Sequence, residues 1–258
     1  LFLSEPGRAA AEMGLFLATR PLERSLPRGD GHPVLLLPGL LADDASTRAL
    51  RGVLRRLGYH THGWRLGRNI GPTSVAVRGM QSRVEELHRR YERPISLIGW
   101  SLGGIYARAL ARRAPEPIRQ VITMGSPIRL ARRGQTRANG AFERFSHLHV
   151  EHANLPLEDG LPPLDVPTTS IYSRFDGIVS WRACLDPPSP RAENIAVISS
   201  HLGFGHNPAT IWVVADRLAQ PEDGWAPFRP PAALRPLFPR AARLGSTSAA
   251  APAPRTAA

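Results

Sequence analysis

Apolar and polar positions alternate along this chain in blocks that read as strand and helix in turn. Residues 33–37 (P-V-L-L-L) form a short, unbroken apolar run ending at Pro38-Gly39, the pattern of a strand buried on both faces. Asp43 and Asp44 are N-cap candidates for a helix that runs to about Leu57 and stops at Gly58. Residues 59–64 read as a second strand. A loop rich in Gly and Asn (R-L-G-R-N-I-G-P-T) follows, then a long helix over about 74–90. Residues 95–99 (I-S-L-I-G) are another buried strand, leading into Trp100-Ser101-Leu102-Gly103-Gly104 and a helix that ends near Arg113, before Pro115. Residues 121–124, 168–173 and 194–199 complete the strands, and 207–219 is the last helix.

Strands alternating with helices imply parallel βαβ units and a doubly wound, mostly parallel sheet flanked by helices. The rhythm breaks over about 127–167, which reads as a cap or lid. Three regions result: a helical lead-in over 1–30, one α/β domain over 31–220, and a Pro- and Ala-rich tail over 221–258, expected to be partly disordered. A chain of 258 residues holds one such domain without needing a second.

Charge changes this picture little. The net charge is +12, yet all 33 basic residues are Arg and none is Lys. A phosphate-binding surface rarely excludes Lys, and the Arg residues fall along helix faces, as at Arg48, Arg51, Arg55 and Arg56. Solvated helix faces account for them, and no nucleic-acid partner is expected. Cys184 is the single cysteine, so an intrachain disulfide or a Cys-rich metal site is excluded. It reads as a small buried residue, and its isolation suits a cytoplasmic protein. No apolar run approaches the roughly 18 residues of a membrane span. The stretch 9–18 is interrupted by Glu12 and lacks a basic leader, so no signal peptide is expected; an amphipathic helix there packs on the domain or makes a weak membrane-surface contact.

The chemistry concentrates at Gly99-Trp100-Ser101-Leu102-Gly103, a G-x-S-x-G pattern. Alone the pattern is common; between an apolar strand and a helix it is the context in which a serine nucleophile is lifted above a sheet. The oxyanion of an attacked carbonyl needs two backbone donors. One is the N–H of Leu102; the other is that of Leu40, or failing that Leu41, beyond the turn at Gly39. An acid and a histidine should follow in that order. Asp176 stands just past the strand over 168–173 in an Asp-Gly turn, whereas Asp165 precedes that strand and Asp186 lies deeper in a Pro-rich loop. His201 follows the last strand, ahead of its rival His206 at the mouth of the next helix. His147, His149 and His152 cluster, but a solvated cap loop explains them better than zinc.

With V-L-L-L-P-G-L-L-A, G-W-S-L-G-G, I-Y-S-R-F-D-G-I-V-S-W and S-H-L-G-F-G-H-N-P in place, residues 33–220 resemble the α/β-hydrolase superfamily, specifically its bacterial esterase- and lipase-like members. The resemblance implies an α/β-hydrolase fold with a cap insertion, Ser101, Asp176 and His201 as a triad, and no metal or organic cofactor. It implies cleavage of carboxylic esters through an acyl-enzyme. Pro38 departs from the His that many members carry before the oxyanion glycine. Leu155, Leu157, Leu161 and Leu164 make the cap apolar, which points to a small ester or acyl substrate of lipid-like character. An acyltransferase on the same triad and a non-catalytic binding protein of the same fold are the alternatives.

Overall fold

The structure is a computed structural model, and it describes residues 1–129, 136–150 and 160–242. Six strands form one parallel sheet: β1 (Pro33–Leu37), β2 (His60–Gly63), β3 (Ile95–Trp100), β4 (Ile118–Met124), β5 (Thr168–Ser173) and β6 (Ala192–Val197), in the order β2-β1-β3-β4-β5-β6. Each pair is parallel, so every connection crosses over a face of the sheet. The helices on those faces are α1 (Glu5–Thr19), α2 (Arg48–Arg56), α3 (Ser74–Tyr91), α4 (Leu102–Arg113) and α6 (Pro208–Leu218), with the short α5 (Asn139–Arg144) after β4.

Successive strand residues point to opposite faces, and they feed two large cores, with a smaller third cluster around Tyr172 of β5 and Ala196 of β6. Val34, Leu36, Ile98 and Trp100 pack with Phe16 of α1, Leu50 and Val53 of α2 and Val214 of α6. Leu35, Leu37 and Leu97 pack with Met80 and Leu87 of α3 and Tyr106 of α4. β1, β3, β4 and β5 are buried along their whole length, which is why their sequences carry no polar alternation.

Several boundaries differ from the sequence reading for identifiable reasons. α2 begins only at Arg48, because Asp44 does not cap it: its carboxylate accepts the amides of Trp64 (3.0 Å) and Arg65 (3.1 Å) beyond β2. β4 begins three residues before Val121, because Arg119 reaches Asp30 (2.9 Å) and Gln120 reaches the Arg217 carbonyl (3.3 Å), which lets polar residues enter a buried strand. β6 lies two residues earlier than expected. Asn207 is the N-cap of α6, accepting from Ala209 (3.0 Å) and Thr210 (3.2 Å), with Pro208 in the first turn.

Residues 221–242, the start of the expected tail, lie against the domain: Phe228 donates its amide to Glu193 (2.8 Å) and Ala242 to the Tyr172 hydroxyl (2.5 Å). The low-complexity end lies outside the described residues, as do Leu155 and Leu157 of the expected cap. Of the other two cap leucines, Leu161 is exposed and Leu164 is buried. No helix among the described residues is long and apolar enough to cross a membrane.

Candidate active site

β3 ends at Trp100 and α4 begins at Leu102, so Ser101 alone makes the turn between them. Its backbone sits at φ 53°, ψ −121°, a conformation that costs a non-glycine residue about 1–3 kcal/mol. The turn is this tight because a Cβ on Gly99 would strike Gly103 and Gly104, and one on Gly103 would strike the Leu37 carbonyl. The Ser101 amide donates to the Met124 carbonyl (2.9 Å), tying the turn to the end of β4. As the first residue of α4, Leu102 has an amide without an intrahelical acceptor, next to the positive end of the helix dipole.

The loop after β1 lies directly against this turn: a Cβ on Gly39 would stand 3.2 Å from the Ser101 Cβ. Leu41 occupies left-handed backbone (φ 64°) and donates its amide to the Asn69 carbonyl at 2.6 Å. That bond consumes the Leu41 donor and leaves the Leu40 amide as the candidate on this side. Asn69 is fully buried and holds the loop from beneath: its Nδ2 donates to the Pro38 carbonyl (2.9 Å), while its Oδ1 accepts from the Gly71 amide (3.1 Å) and the Tyr106 hydroxyl (3.3 Å). The Gly- and Asn-rich loop was visible in the sequence; that its asparagine reaches back to residue 38 was not.

Asp176 and His201 meet beyond the ends of β5 and β6. His201 Nδ1 lies 2.6 Å from Asp176 Oδ2, with side chains 6% and 1% exposed. Asp176 Oδ1 accepts the amides of Ile178 (2.8 Å) and Val179 (2.7 Å), so both oxygens are engaged and the carboxylate is fixed in orientation. With Oδ2 accepting from Nδ1–H, His201 is left with Nε2 as its basic nitrogen. The loop of His201 is fastened to the serine turn, because Trp100 Nε1 donates to the His201 carbonyl at 3.1 Å.

The rival residues have other occupations. His206 directs Nε2 to the Ala9 carbonyl (2.9 Å). Asp186 forms a two-pronged pair with Arg108 (2.7 and 2.9 Å) inside the protein, with Thr168 on the same carboxylate (2.7 Å). Asp165 is exposed before β5. His149 directs Nε2 to the Ile70 carbonyl (2.9 Å) and packs on Phe142; His152 lies outside the described residues. No group of three or more potential metal ligands occurs among the described residues. The Cys184 thiol is buried, and burial pushes its pKa up, away from thiolate chemistry.

A second Ser-His-Asp chain exists that sequence reading did not find. His32 places Nδ1 2.5 Å from Asp30 and Nε2 2.8 Å from the hydroxyl of Ser96. Ser96 lies within β3 and, like His32, is fully buried, with no turn or helix start to present it. It is a structural network, which shows that donor order alone does not make a site.

No protein-family model and no curated protein sequence matches the chain. Solved structures do. The chain is similar to Aspergillus fumigatus lipase B (18% identity, TM-score 0.60), over 75% of this chain and 53% of that one. It is similar to a structure from the work on LipS and LipT, two metagenome-derived lipolytic enzymes (18%, 0.55), over 74% and 93% of the two chains. It is also similar to MGS-MChE2, an α/β-hydrolase enzyme from a lagoon-sediment metagenome (17%, 0.51), over 74% and 91%. The shared architecture is the α/β-hydrolase fold.

Proposed function

We propose that this α/β-hydrolase fold works as a serine hydrolase that cleaves carboxylic esters, with Ser101 as nucleophile, His201 as general base and Asp176 as the acid that holds the base. The observation that carries the reading is the 2.6 Å bond from His201 to Asp176, on a loop anchored at 3.1 Å to the residue before a strained, helix-capping serine. A strained turn that presents the serine, an oriented imidazole and a helix start that offers amide donors are three separate features that favour acyl transfer at this place.

In the proposed reaction His201 Nε2 takes the Ser101 hydroxyl proton as Oγ attacks the ester carbonyl. The amides of Leu102 and Leu40 hold the resulting oxyanion. As the intermediate collapses, the C–O bond to the alcohol breaks and the imidazolium returns its proton to the leaving oxygen. Water then gives a proton to His201 and attacks the acyl carbonyl, and Ser101 recovers its proton as the carboxylic acid departs. Asp176 stays ionised throughout and stabilises the imidazolium.

An apolar acyl group is supported by the neighbours of these residues. Leu41, Phe175 and Leu202, each next to a site residue in sequence, are 45%, 47% and 41% exposed. The lipolytic descriptions of the structures named above agree with this class. The test is labelling with a fluorophosphonate probe, which should modify the wild type and spare Ser101→Ala. Labelling that survives the substitution removes Ser101 from the mechanism. A p-nitrophenyl ester series of graded chain length then reads the acyl preference, and a strong preference for acetate would overturn the apolar part.

A further inference from the structure

Three polar side chains of α1, Glu5, Arg8 and Glu12, bond four residues that flank Asp176 and His201. Glu5 Oε1 accepts the Gly177 amide (2.8 Å), and its Oε2 accepts the Leu202 amide (3.0 Å). Arg8 donates to Glu5 Oε1 (2.5 Å) and, through Nη1, to the Phe175 carbonyl (2.6 Å). Glu12 accepts from both the amide (2.8 Å) and the hydroxyl (2.6 Å) of Ser200. Thus residues 175 and 177 are gripped on either side of Asp176, and residues 200 and 202 on either side of His201. Positions 5, 8 and 12 recur every three to four residues and share one face of the helix with Phe16, which is buried in the core.

Packing alone does not require this. Phe16 and Met13 supply apolar contact for α1, yet Glu5 is taken down to 1% exposure. Carboxylates are almost never fully buried without partners, and this one has three donors, two of them backbone amides from separate loops. A Cβ on Gly203 would fall onto the Glu12 carboxylate, so the histidine loop is shaped to admit that side chain.

We propose that Glu5 is a positioning residue for the Asp176–His201 pair: one buried carboxylate on α1 bridges the backbone just after the acid to the backbone just after the base and sets the geometry of their hydrogen bond. Its meaning for catalysis rests on the ester-hydrolase reading; the bridging geometry does not. Two separate loops, each at the end of its own strand, are thereby held as one rigid unit.

The Nδ1 proton of His201, held by Asp176, should give a far-downfield proton NMR signal, and that of His32, held by Asp30, should give another. Asp176→Asn identifies the first by its loss. In Glu5→Ala the His201 signal should broaden or disappear while the His32 signal persists. For p-nitrophenyl esters, kcat should fall by about 100-fold with KM little changed, the loss that misplacement of a catalytic group by about an ångström brings. Glu5→Gln retains one acceptor oxygen and should fall between Glu5→Ala and the wild type. An undiminished His201 signal in Glu5→Ala overturns the proposal. So does loss of both signals in Glu5→Ala and Glu5→Gln alike, because Glu5 would then serve folding in general. A wild type that neither labels nor turns over esters removes the hydrolase reading, and the two imidazole signals still decide the role of Glu5.

Discussion

The indole of Trp100 donates to the main-chain carbonyl of His201 at 3.1 Å, so the residue before the candidate nucleophile holds the residue that carries the candidate base. Trp100 is 7% exposed and its ring packs in the core, which makes the contact a fixed strut. Trp100→Phe keeps an aromatic ring there and removes the donor. A buried hydrogen bond contributes about 1 kcal/mol net, and if that acts on the loop alone it corresponds to a fall in kcat of about fivefold. Fluorophosphonate labelling rates should fall in step. Unchanged rates would mean that the His201 loop keeps its place without the strut.

Asp176→Asn isolates the role of the acid. The Asn Oδ1 retains the amides of Ile178 and Val179, which places Nδ2 against His201 Nδ1. A donor at that position forces the proton onto Nε2 and would deprive Ser101 of its proposed base. The expected loss in kcat is about 10⁴-fold, with KM and melting temperature nearly unchanged. An activity within tenfold of wild type would assign the acid elsewhere.

The candidate oxyanion loop gives a third outcome. Asn69 is bonded to the backbone on both sides of Gly39, to the Pro38 carbonyl and to the Leu41 amide. Asn69→Ala removes the side-chain bond to Pro38 and leaves the Tyr106 hydroxyl without its partner. Loss of alignment of one oxyanion donor is expected to cost about 100-fold in kcat, and a labelling rate equal to wild type would exclude this. Leu40→Ala, which keeps the amide, should cost far less, since the proposed contribution is that of the backbone.

What could be read from sequence follows the range of the interaction. The turn at Ser101 was legible because strand, turn and helix start are contiguous, and the places of Asp176 and His201 because each follows a strand end closely. β5 was placed at its observed bounds, since Pro167 precedes it and every residue in it is apolar or small. Interactions across the fold left no such local mark. Glu12 reads as an interruption of an apolar helix until Ser200, 188 residues away, supplies its donors. Asp186 resembles any loop aspartate until Arg108, 78 residues away, pairs with it inside the protein. Asp44 has the position of a helix cap, and two amides beyond β2 take it instead. Local pattern specifies elements; buried charge is specified by partners that local pattern does not contain.

Buried His32 is expected to couple the stability of the fold to acid. Burial is the main cause that lowers its pKa from 6.5 to about 4, outweighing the opposing hydrogen bond that it donates to Asp30. Burial on its own pushes the Asp30 carboxyl up, but bonds from His32 and Arg119 outweigh it and hold that carboxyl below the usual range. His32 is therefore neutral in the folded protein at neutral pH, with Nδ1–H donated to Asp30 and Nε2 accepting from the Ser96 hydroxyl. Between pH 6.5 and about 4 the unfolded chain binds a proton at this histidine that the folded chain does not. Stability from His32 is thus fully present above pH 6.5 and declines as the pH falls, by about 3 kcal/mol near pH 4. His62, also lowered to about 4 by burial and by the neighbouring Arg83 and Arg90 charges, adds to the same trend. Urea unfolding of the wild type and His32→Gln at pH 7 and pH 4.5 separates the two. The variant should be less stable at pH 7 and lose less on acidification, the difference being the share of His32. Equal losses in both proteins would show that His32 does not couple folding to pH.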